Sequence, residues 1–305
     1  MNNTFDLYKK SNLILTPEDW QDYELIDSGS GQKLERFGKF FFVRPEAQAL
    51  YPKDDKIKNW VNNDGVFYTS GGDEGGKWKL RKTLPEKWEI GYDGLLFKAF
   101  PTPFRHLGFF PEQAVHWRWC EKLINRKPFS RKPKILNLFG YSGIASLHAA
   151  KLGAEVTHVD ASKKAINMAF ENRDLSKLND APIRFIVDDA LSFTKREVRR
   201  EIKYDGIILD PPKYGRGPKG EKWNIDTDLP LLLNEVRKLL SKDLLFIVLN
   251  AYAIRSSHLA LLNSLAISAK INSGFFSSGE LAIEQKNSTK KLSCSIFARW
   301  GHLDF

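Results

Sequence analysis

The sequence predicts an α/β protein in which a mostly parallel sheet, covered by helices on both faces, follows a smaller β-rich domain. Three observations carry that prediction. From Ile135 onward, short apolar runs alternate with amphipathic stretches, the rhythm of parallel strands joined by crossover helices. Before about Phe100 the texture differs: aromatic and β-branched runs of strand length are separated by Gly, Asp, Asn and Pro. Near the C-terminus, Glu280–Glu284 and Ser293–Trp300 read as two strands joined by the polar turn Gln285–Lys291, an antiparallel hairpin closing an otherwise parallel sheet.

Residues 1–20 read as a loose arm. YELIDS, KLERFGKFFFVR, GVFYTS, KWEIGYD and GLLFKAFP then give a mostly antiparallel β-rich domain, with turns or loops at Asn62–Gly65 and Ser70–Gly76. A helix begins in Phe109–Cys120, after Gly108 and with Pro111 in its first turn, where the missing N–H costs little. Lys127–Lys134 is a basic linker. The strands expected next are Ile135–Phe139, Glu155–Asp160, Ile183–Asp188, Gly206–Asp210 and Leu244–Asn250; with the terminal hairpin they make seven. Ser162 can cap a helix that carries Ile166, Ala169 and Phe170 on one face, and Leu231–Leu240 is a helix entered through Asp228 and Pro230. The division expected is a β-rich domain over 1–104 and a larger α/β domain over 105–305.

Composition narrows the function classes. The 305 residues are 42% hydrophobic and 28% charged, which suits a chain that buries a core. No apolar run approaches the ~18 residues of a membrane span, and the first twenty residues lack a signal-peptide layout, so a cytoplasmic protein without membrane partners is expected. Cys120 and Cys294 are too few for a disulfide framework or a cysteine-rich metal site, and no metal is expected. The net charge of +10 points to a polyanionic partner. Basic clusters lie at 77–82, 122–134, 195–203 and 213–222, and Trp78, Tyr214 and Trp223 interleave with the first and last. That mixture suits unpaired bases better than a duplex.

The stretch Ile135–Ser146, ILNLFGYSGIAS, organises the second half. A buried strand runs into Gly140-Tyr141-Ser142-Gly143, and a helical pattern starts at Ile144. Glycines there permit a tight turn and a close backbone approach to a ligand. The spacing matches neither G-x-G-x-x-G nor a P-loop. Asp160 ends the next strand, 23 residues after Asn137, near the ~20-residue interval at which an acid meets a pair of ribose hydroxyls. The plain alternative for Asp160 is a helix cap. Asp188-Asp189-Ala190 ends the third strand, where an acid can reach an adenine amino group or stand as a solvated turn residue. Asp210-Pro211-Pro212-Lys213-Tyr214 ends the fourth. Two prolines hold that backbone rigid, and an acid, a fixed carbonyl and an aromatic ring can hold a planar amine.

NLFGYSG, VDAS, DDA and DPPK, closed by a strand pair, resemble the class I S-adenosylmethionine-dependent methyltransferases over about residues 105–305. The upstream pieces DYELIDSGSGQKLERFG, RPEAQALYP and HLGFFPEQ are similar to the bacterial 23S ribosomal RNA methyltransferase branch, which sets a small β-rich domain before the catalytic one. The resemblance implies a Rossmann-like seven-stranded sheet, S-adenosyl-L-methionine as cofactor, and RNA, in particular ribosomal RNA, as partner. It implies cofactor contacts from Asn137, Phe139, Gly140, Tyr141 and Gly143 near the methionine end, from Asp160, Ala161 and Ser162 at the ribose, from Asp189 and Ala190 at the adenine, and from Asp210. Phe110 and Gln113 would form a lid, and Asp210, Pro211, Pro212, Lys213 and Tyr214 would face the transferred methyl as the catalytic set. Asn137 stands where many class I enzymes carry an acid.

Relatives that methylate carbon 5 of cytosine add a cysteine nucleophile to the ring, because that carbon is not nucleophilic by itself. They carry it just after the fifth strand, where this chain reads LFIVLNAYAIRSS without Cys. A nitrogen or oxygen target needs only alignment and a route for one proton, and of these a base nitrogen is the expected target. A small-molecule or protein methyltransferase, and a non-catalytic RNA-binding protein on the same fold, are the alternatives.

Overall fold

The computed structural model describes residues 7–69, 75–81, 83–126, 131–252, 254–271 and 273–304. They form two compact units: Thr16–Ala114 with Ala282–Cys294, and the described residues up to Leu15 with Val115–Leu281 and Ser295 onward.

The chain opens with strand β1 (Leu13–Leu15). The β-rich unit follows with β2 (Tyr23–Gly29), β3 (Gln32–Phe37), β4 (Phe40–Pro45), β5 (Gly65–Thr69) and β6 (Gly76–Leu80), hydrogen-bonded in that order. Its pairs are antiparallel except β4 with β5. A hairpin of β7 (Trp88–Tyr92) and β8 (Leu95–Ala99) stands apart from that sheet. The run KLERFGKFFFVR is two strands, split where Gly38 turns the chain at φ 62°. The basic cluster KWKLRK is largely β6; its Lys82 lies outside the described residues, as do residues 70–74 of the expected loop. The aromatics that punctuate these strands fill the core, and Phe42 stacks on Trp88 at 5.7 Å and 7°. Buried Glu35 accepts Arg44 Nε and Nη2, both at 2.7 Å, and the Tyr23 hydroxyl at 2.9 Å. Burial works to raise the Glu35 pKa, but Arg44 and Lys33 hold it below its ordinary value.

The larger unit follows the expected alternation: α1 (Ala114–Arg126), β9 (Lys134–Leu138), α2 (Ile144–Lys151), β10 (Glu155–Asp160), α3 (Lys163–Leu175), β11 (Ile183–Val187), α4 (Ala190–Arg199) and β12 (Gly206–Leu209). Then come a short hairpin, β13 (Tyr214–Arg216) and β14 (Lys222–Asn224), α5 (Ile225–Lys238), β15 (Phe246–Ala251), α6 (His258–Ala269), β16 (Phe275–Glu284) and β17 (Lys291–Gly301). The sheet order is β1-β16-β17-β15-β12-β9-β10-β11. Pairs among β15, β12, β9, β10 and β11 are parallel, and β17 runs antiparallel to β15.

All seven expected strands are present. The eighth, β1, corrects the reading of the N-terminus as loose: Leu13–Leu15 pair with Gly279–Leu281, and residues 1–6 lie outside the described part. A three-residue strand is too short to show a period. A second correction concerns α5, which starts at Ile225, six residues before the expected Leu231. Asn224 caps it by accepting Asp226 N–H, Asp228 accepts the Asn224 N–H at 2.8 Å, and Pro230 lies inside the helix.

The sheet is buried on both faces, which is why its strands read as continuous apolar runs. Leu136, Leu138, Ile207, Leu209 and Leu249 pack with Phe193, Leu232 and Leu262 of α4–α6. Ile135, Val156, Ile208, Phe246 and Val248 pack with Trp119 and Leu123 of α1 and Ala149 of α2. Each such side chain contributes about 1.5–3 kcal/mol on burial. Buried Asp205 ties down the entrance to β9: it accepts Arg131 through both oxygens at 2.7 and 2.8 Å, Lys134 N–H at 2.8 Å and the Ser241 hydroxyl at 2.7 Å. Arg131 belongs to the expected basic linker, of which 127–130 lie outside the described residues.

Candidate active site

The sheet order sets β9 between β10 and β12, so Asp160 and Asp210 flank the turn that leaves β9. That turn is strained. Phe139 and Tyr141 have positive φ, 58° and 48°, alongside Gly143 at 84°, and non-glycine residues in this region cost of order 1–3 kcal/mol. Asp160 over-determines the conformation: Oδ2 accepts Tyr141 N–H at 2.9 Å and Oδ1 accepts Ser162 N–H at 2.8 Å. Burial raises the Asp160 pKa, and these two N–H groups pull it back. Burial, then the nearby Asp160 charge, push the Tyr141 phenol up.

The glycines are required by the protein's own packing. A Cβ on Gly140 would stand 2.3 Å from the His158 ring, and one on Gly143 would stand 2.7 Å from the Ala169 Cβ. His158, fully buried, was not anticipated from sequence. Its register partner on β9 is Asn137. Asn137 Nδ2 donates to Ser146 Oγ at 2.9 Å, and Ser146 Oγ meets His158 Nδ1 at 2.9 Å. Burial lowers the His158 pKa to about 3, so the ring is neutral. Asn137 is therefore committed, through at least one amide N–H, to a buried polar chain under the turn. The signal available was a histidine inside the strand, between Val156 and Asp160 on the same face.

Ser162 caps α3 as expected, accepting Ala165 N–H, and Ala161 lies between it and Asp160. Asp189 caps α4 through Oδ1, which accepts Ser192 N–H at 2.8 Å; Ala190 is the first residue of that helix and is buried. Asp188 pairs with Arg196.

Asp210 lies one residue past β12, and its pKa is about 6, raised by burial and pulled back by the Asn250 amide. Asn250 Nδ2 donates to Asp210 Oδ1 at 2.7 Å, and Ser295 Oγ donates to Asn250 Oδ1 at 3.0 Å. Neither Asn250 nor Ser295 was anticipated. Pro211 is buried. The Pro212 carbonyl, expected to face a ligand, accepts Trp223 Nε1 at 2.7 Å.

The loop expected over 213–222 is the β13–β14 hairpin. Tyr214 is 60% exposed with the Lys213 ammonium 5.3 Å from its ring centroid. Arg216, Lys219 and Lys222 are exposed. Trp223, expected to stack on a base, is buried against Phe139, with ring centroids 4.9 Å apart. Trp78 is likewise committed, its Nε1 donating to the Thr102 and Phe104 carbonyls. Phe110 and Gln113 fall in the β-rich unit, at the entry to and within a 3-10 turn over Pro111–Gln113.

A glycine turn flanked by acids at the ends of adjacent parallel strands is a nucleoside-type site at a topological switch point. Each Asp160 oxygen keeps a second lone pair for a ribose hydroxyl, so the residues present fit a nucleoside cofactor. Among the described residues no group of three or more metal-ligating side chains occurs, and no helix is long and apolar enough to cross a membrane.

The strand order and hairpin define a class I methyltransferase fold. A SAM-dependent methyltransferase from Agrobacterium tumefaciens is 44% identical, with a TM-score of 0.91 over 96% of this chain and 95% of that one. The chain belongs to the family of SAM-dependent methyltransferases. A family model described as conserved hypothetical protein 95 matches residues 119–249. Ribosomal RNA large subunit methyltransferase K/L of Shewanella frigidimarina is 36% identical over 150 residues, 48% of this chain and 20% of that protein. Its counterpart from Colwellia psychrerythraea is 31% identical over 166 residues, 54% of this chain and 22% of that protein. The chain thus spans about a fifth of the length of these curated relatives.

Proposed function

We propose that this protein is a cytoplasmic enzyme that methylates a base nitrogen in RNA, with ribosomal RNA as the substrate class. The observation that carries the reading is the placement of Asp210 beside the glycine turn, followed four residues on by an exposed Tyr214 on a basic hairpin. S-adenosyl-L-methionine supplies the methyl as a sulfonium, and the protein supplies position and electrostatics. Asp160 and Asp189 hold the ribose and adenine, and the strained turn 139–143 holds the methionine end. Asp210 accepts a hydrogen bond from the attacking nitrogen, Tyr214 stacks on the unpaired base, and Lys213, Arg216, Lys219 and Lys222 take phosphates. The ribosomal RNA relatives support the substrate class.

The β-rich domain, Thr16–Ala114 with Ala282–Cys294, contributes substrate affinity in this proposal. Its edge strand supports that role: Lys77 and Lys79 are exposed on β6 at alternate positions, Arg81 is exposed just past its end, and Tyr68, 55% exposed, is the register partner of Lys77. Side chains at alternate positions share one face of a strand.

The test is transfer of tritium from S-adenosyl-L-[methyl-³H]methionine to RNA from cells lacking the gene, followed by nucleoside mass spectrometry. Incorporation at one nucleotide, absent from RNA of cells with the gene, is expected. No incorporation into any RNA, with intact cofactor binding, would remove the RNA reading in favour of a small-molecule or protein acceptor.

A further inference from the structure

We propose that Asn250 and Ser295 are positioning residues that fix the Asp210 carboxylate in one orientation toward the methyl acceptor. The proposal rests on the methyltransferase site just described. The two side chains come from β15 and β17, and only the antiparallel pairing of those strands brings them together: Asn250 is the register partner of Phe297, and Ser295 follows one step beyond the last registered pair, Ala251 with Ile296. Asn250 is 2% exposed and Ser295 6%. A buried amide must satisfy both its carbonyl and its N–H groups inside the protein.

Here the direction of the chain is dictated. An ionised carboxylate can only accept, so the amide turns its N–H to Asp210 and its oxygen to Ser295. The hydroxyl then donates, at 3.0 Å, and locks the amide against a flip that would set carbonyl against carboxylate. The 2.7 Å contact on Oδ1 fixes the rotation of the Asp210 carboxyl and favours its charged form. β9 contributes the Leu138 backbone carbonyl toward the Asp210 N–H at 3.5 Å, and Lys213, the next charged residue along the loop, lies with its ammonium by the Tyr214 ring. Burial raises the Asp210 pKa, and the hydrogen bond from Asn250 pulls it back.

The experiment uses the full chain with Asn250→Leu, Ser295→Ala, Ser295→Thr and Asp210→Asn. The ¹³Cγ resonance of Asp210, identified by its loss in Asp210→Asn, is titrated in each. In Asn250→Leu the midpoint is expected to rise by about 1 pH unit, the effect of losing a hydrogen bond to the charged form. Ser295→Ala should give a smaller rise in the same direction, and Ser295→Thr, which keeps the hydroxyl, should restore the wild-type midpoint. Affinity for S-adenosylhomocysteine should be unchanged in the Asn250 and Ser295 variants, while methyl transfer at neutral pH falls in Asn250→Leu and recovers in Ser295→Thr relative to Ser295→Ala. An unmoved Asp210 midpoint in Asn250→Leu, or a Ser295→Thr protein indistinguishable from Ser295→Ala, overturns the proposal. If Asn250→Leu does not fold, the Ser295 pair decides alone. Failure of the wild type to label RNA overturns the RNA reading, and the carboxyl titration then decides the positioning chain by itself.

Discussion

The carboxylate of Asp160 accepts the backbone N–H of Tyr141 at 2.9 Å. It thereby clamps the end of β10 to the left-handed turn after β9, and its other oxygen holds the Ser162 N–H at the entry to α3. Asp160→Ala should lose both this clamp and the proposed ribose contact. Affinity for S-adenosylhomocysteine is expected to fall by roughly 1.5–3 kcal/mol, the scale of hydrogen bonds to a charged group. Titration calorimetry checks it, and unchanged affinity would take Asp160 out of the cofactor site.

Gly140 is required because His158 occupies the place of a Cβ, 2.3 Å away. Gly140→Ala should therefore destabilise the fold by about 1–3 kcal/mol through overpacking. His158→Ala opens that space, so the double variant should cost less than the sum of the single changes. Urea unfolding of the four proteins gives the coupling; strict additivity would mean that the two sites do not press on each other.

Burial pushes both thiols above the ordinary cysteine value, Cys120 and Cys294 alike, so neither is a ready thiolate. Cys120→Ala combined with Cys294→Ser should keep most methyl transfer once folding is verified by circular dichroism. A covalent adduct with 5-fluorocytosine RNA would contradict this and restore a carbon target.

Lys219 and Lys222 lie on or beside the short β13–β14 hairpin and are exposed. If each holds a phosphate, replacing both with Ala should flatten the log–log salt dependence of RNA binding by up to about 1.4, at 0.7 per contact. Tyr214→Ala should weaken binding by ~1–3 kcal/mol with little change in that slope. Trp223→Ala should instead lower stability, because the ring is buried against Phe139. Filter binding at several salt concentrations separates these outcomes, and a flat response to both the Lys pair and Tyr214 would leave the hairpin without a role in RNA binding.

Asp205 is held below its ordinary pKa by Arg131, the Lys134 N–H and the Ser241 hydroxyl, which together outweigh its burial. Its folded pKa lies below the unfolded value of about 3.9. The resulting stability is complete above that value and is lost as pH falls through the folded pKa. Asp205→Asn should thus be less stable than wild type at pH 7 by about 2 kcal/mol, allowing for the half-exposed Arg131. The gap should close in strong acid, as thermal unfolding across pH would show; a gap independent of pH would mean that charge plays no part.

Sequence by itself determined the alternation of β9 to β12 with their helices, because strands buried on both faces must be apolar throughout and the connecting helices must be amphipathic. It also marked the glycine turn and the acids Asp160 and Asp210, since chain breaks after buried strands are where polar residues become conspicuous. What it could not show were effects that depend on which strand lies beside which. β1 is three residues long and has meaning only through its pairing with Gly279–Leu281. Trp223 sits in a basic, glycine-rich stretch like a base-stacking residue, yet the hairpin folds it inward to Phe139 and the Pro212 carbonyl. His158, Ser146, Asn250 and Ser295 are polar residues scattered over 150 positions of sequence. Only the sheet order, with β9 beside β10 and β15 beside β17, gathers them into the hydrogen-bonded chains that fix the turn and orient Asp210. Local pattern specifies which residues are buried; the long-range pairing of strands decides which buried polar groups satisfy one another.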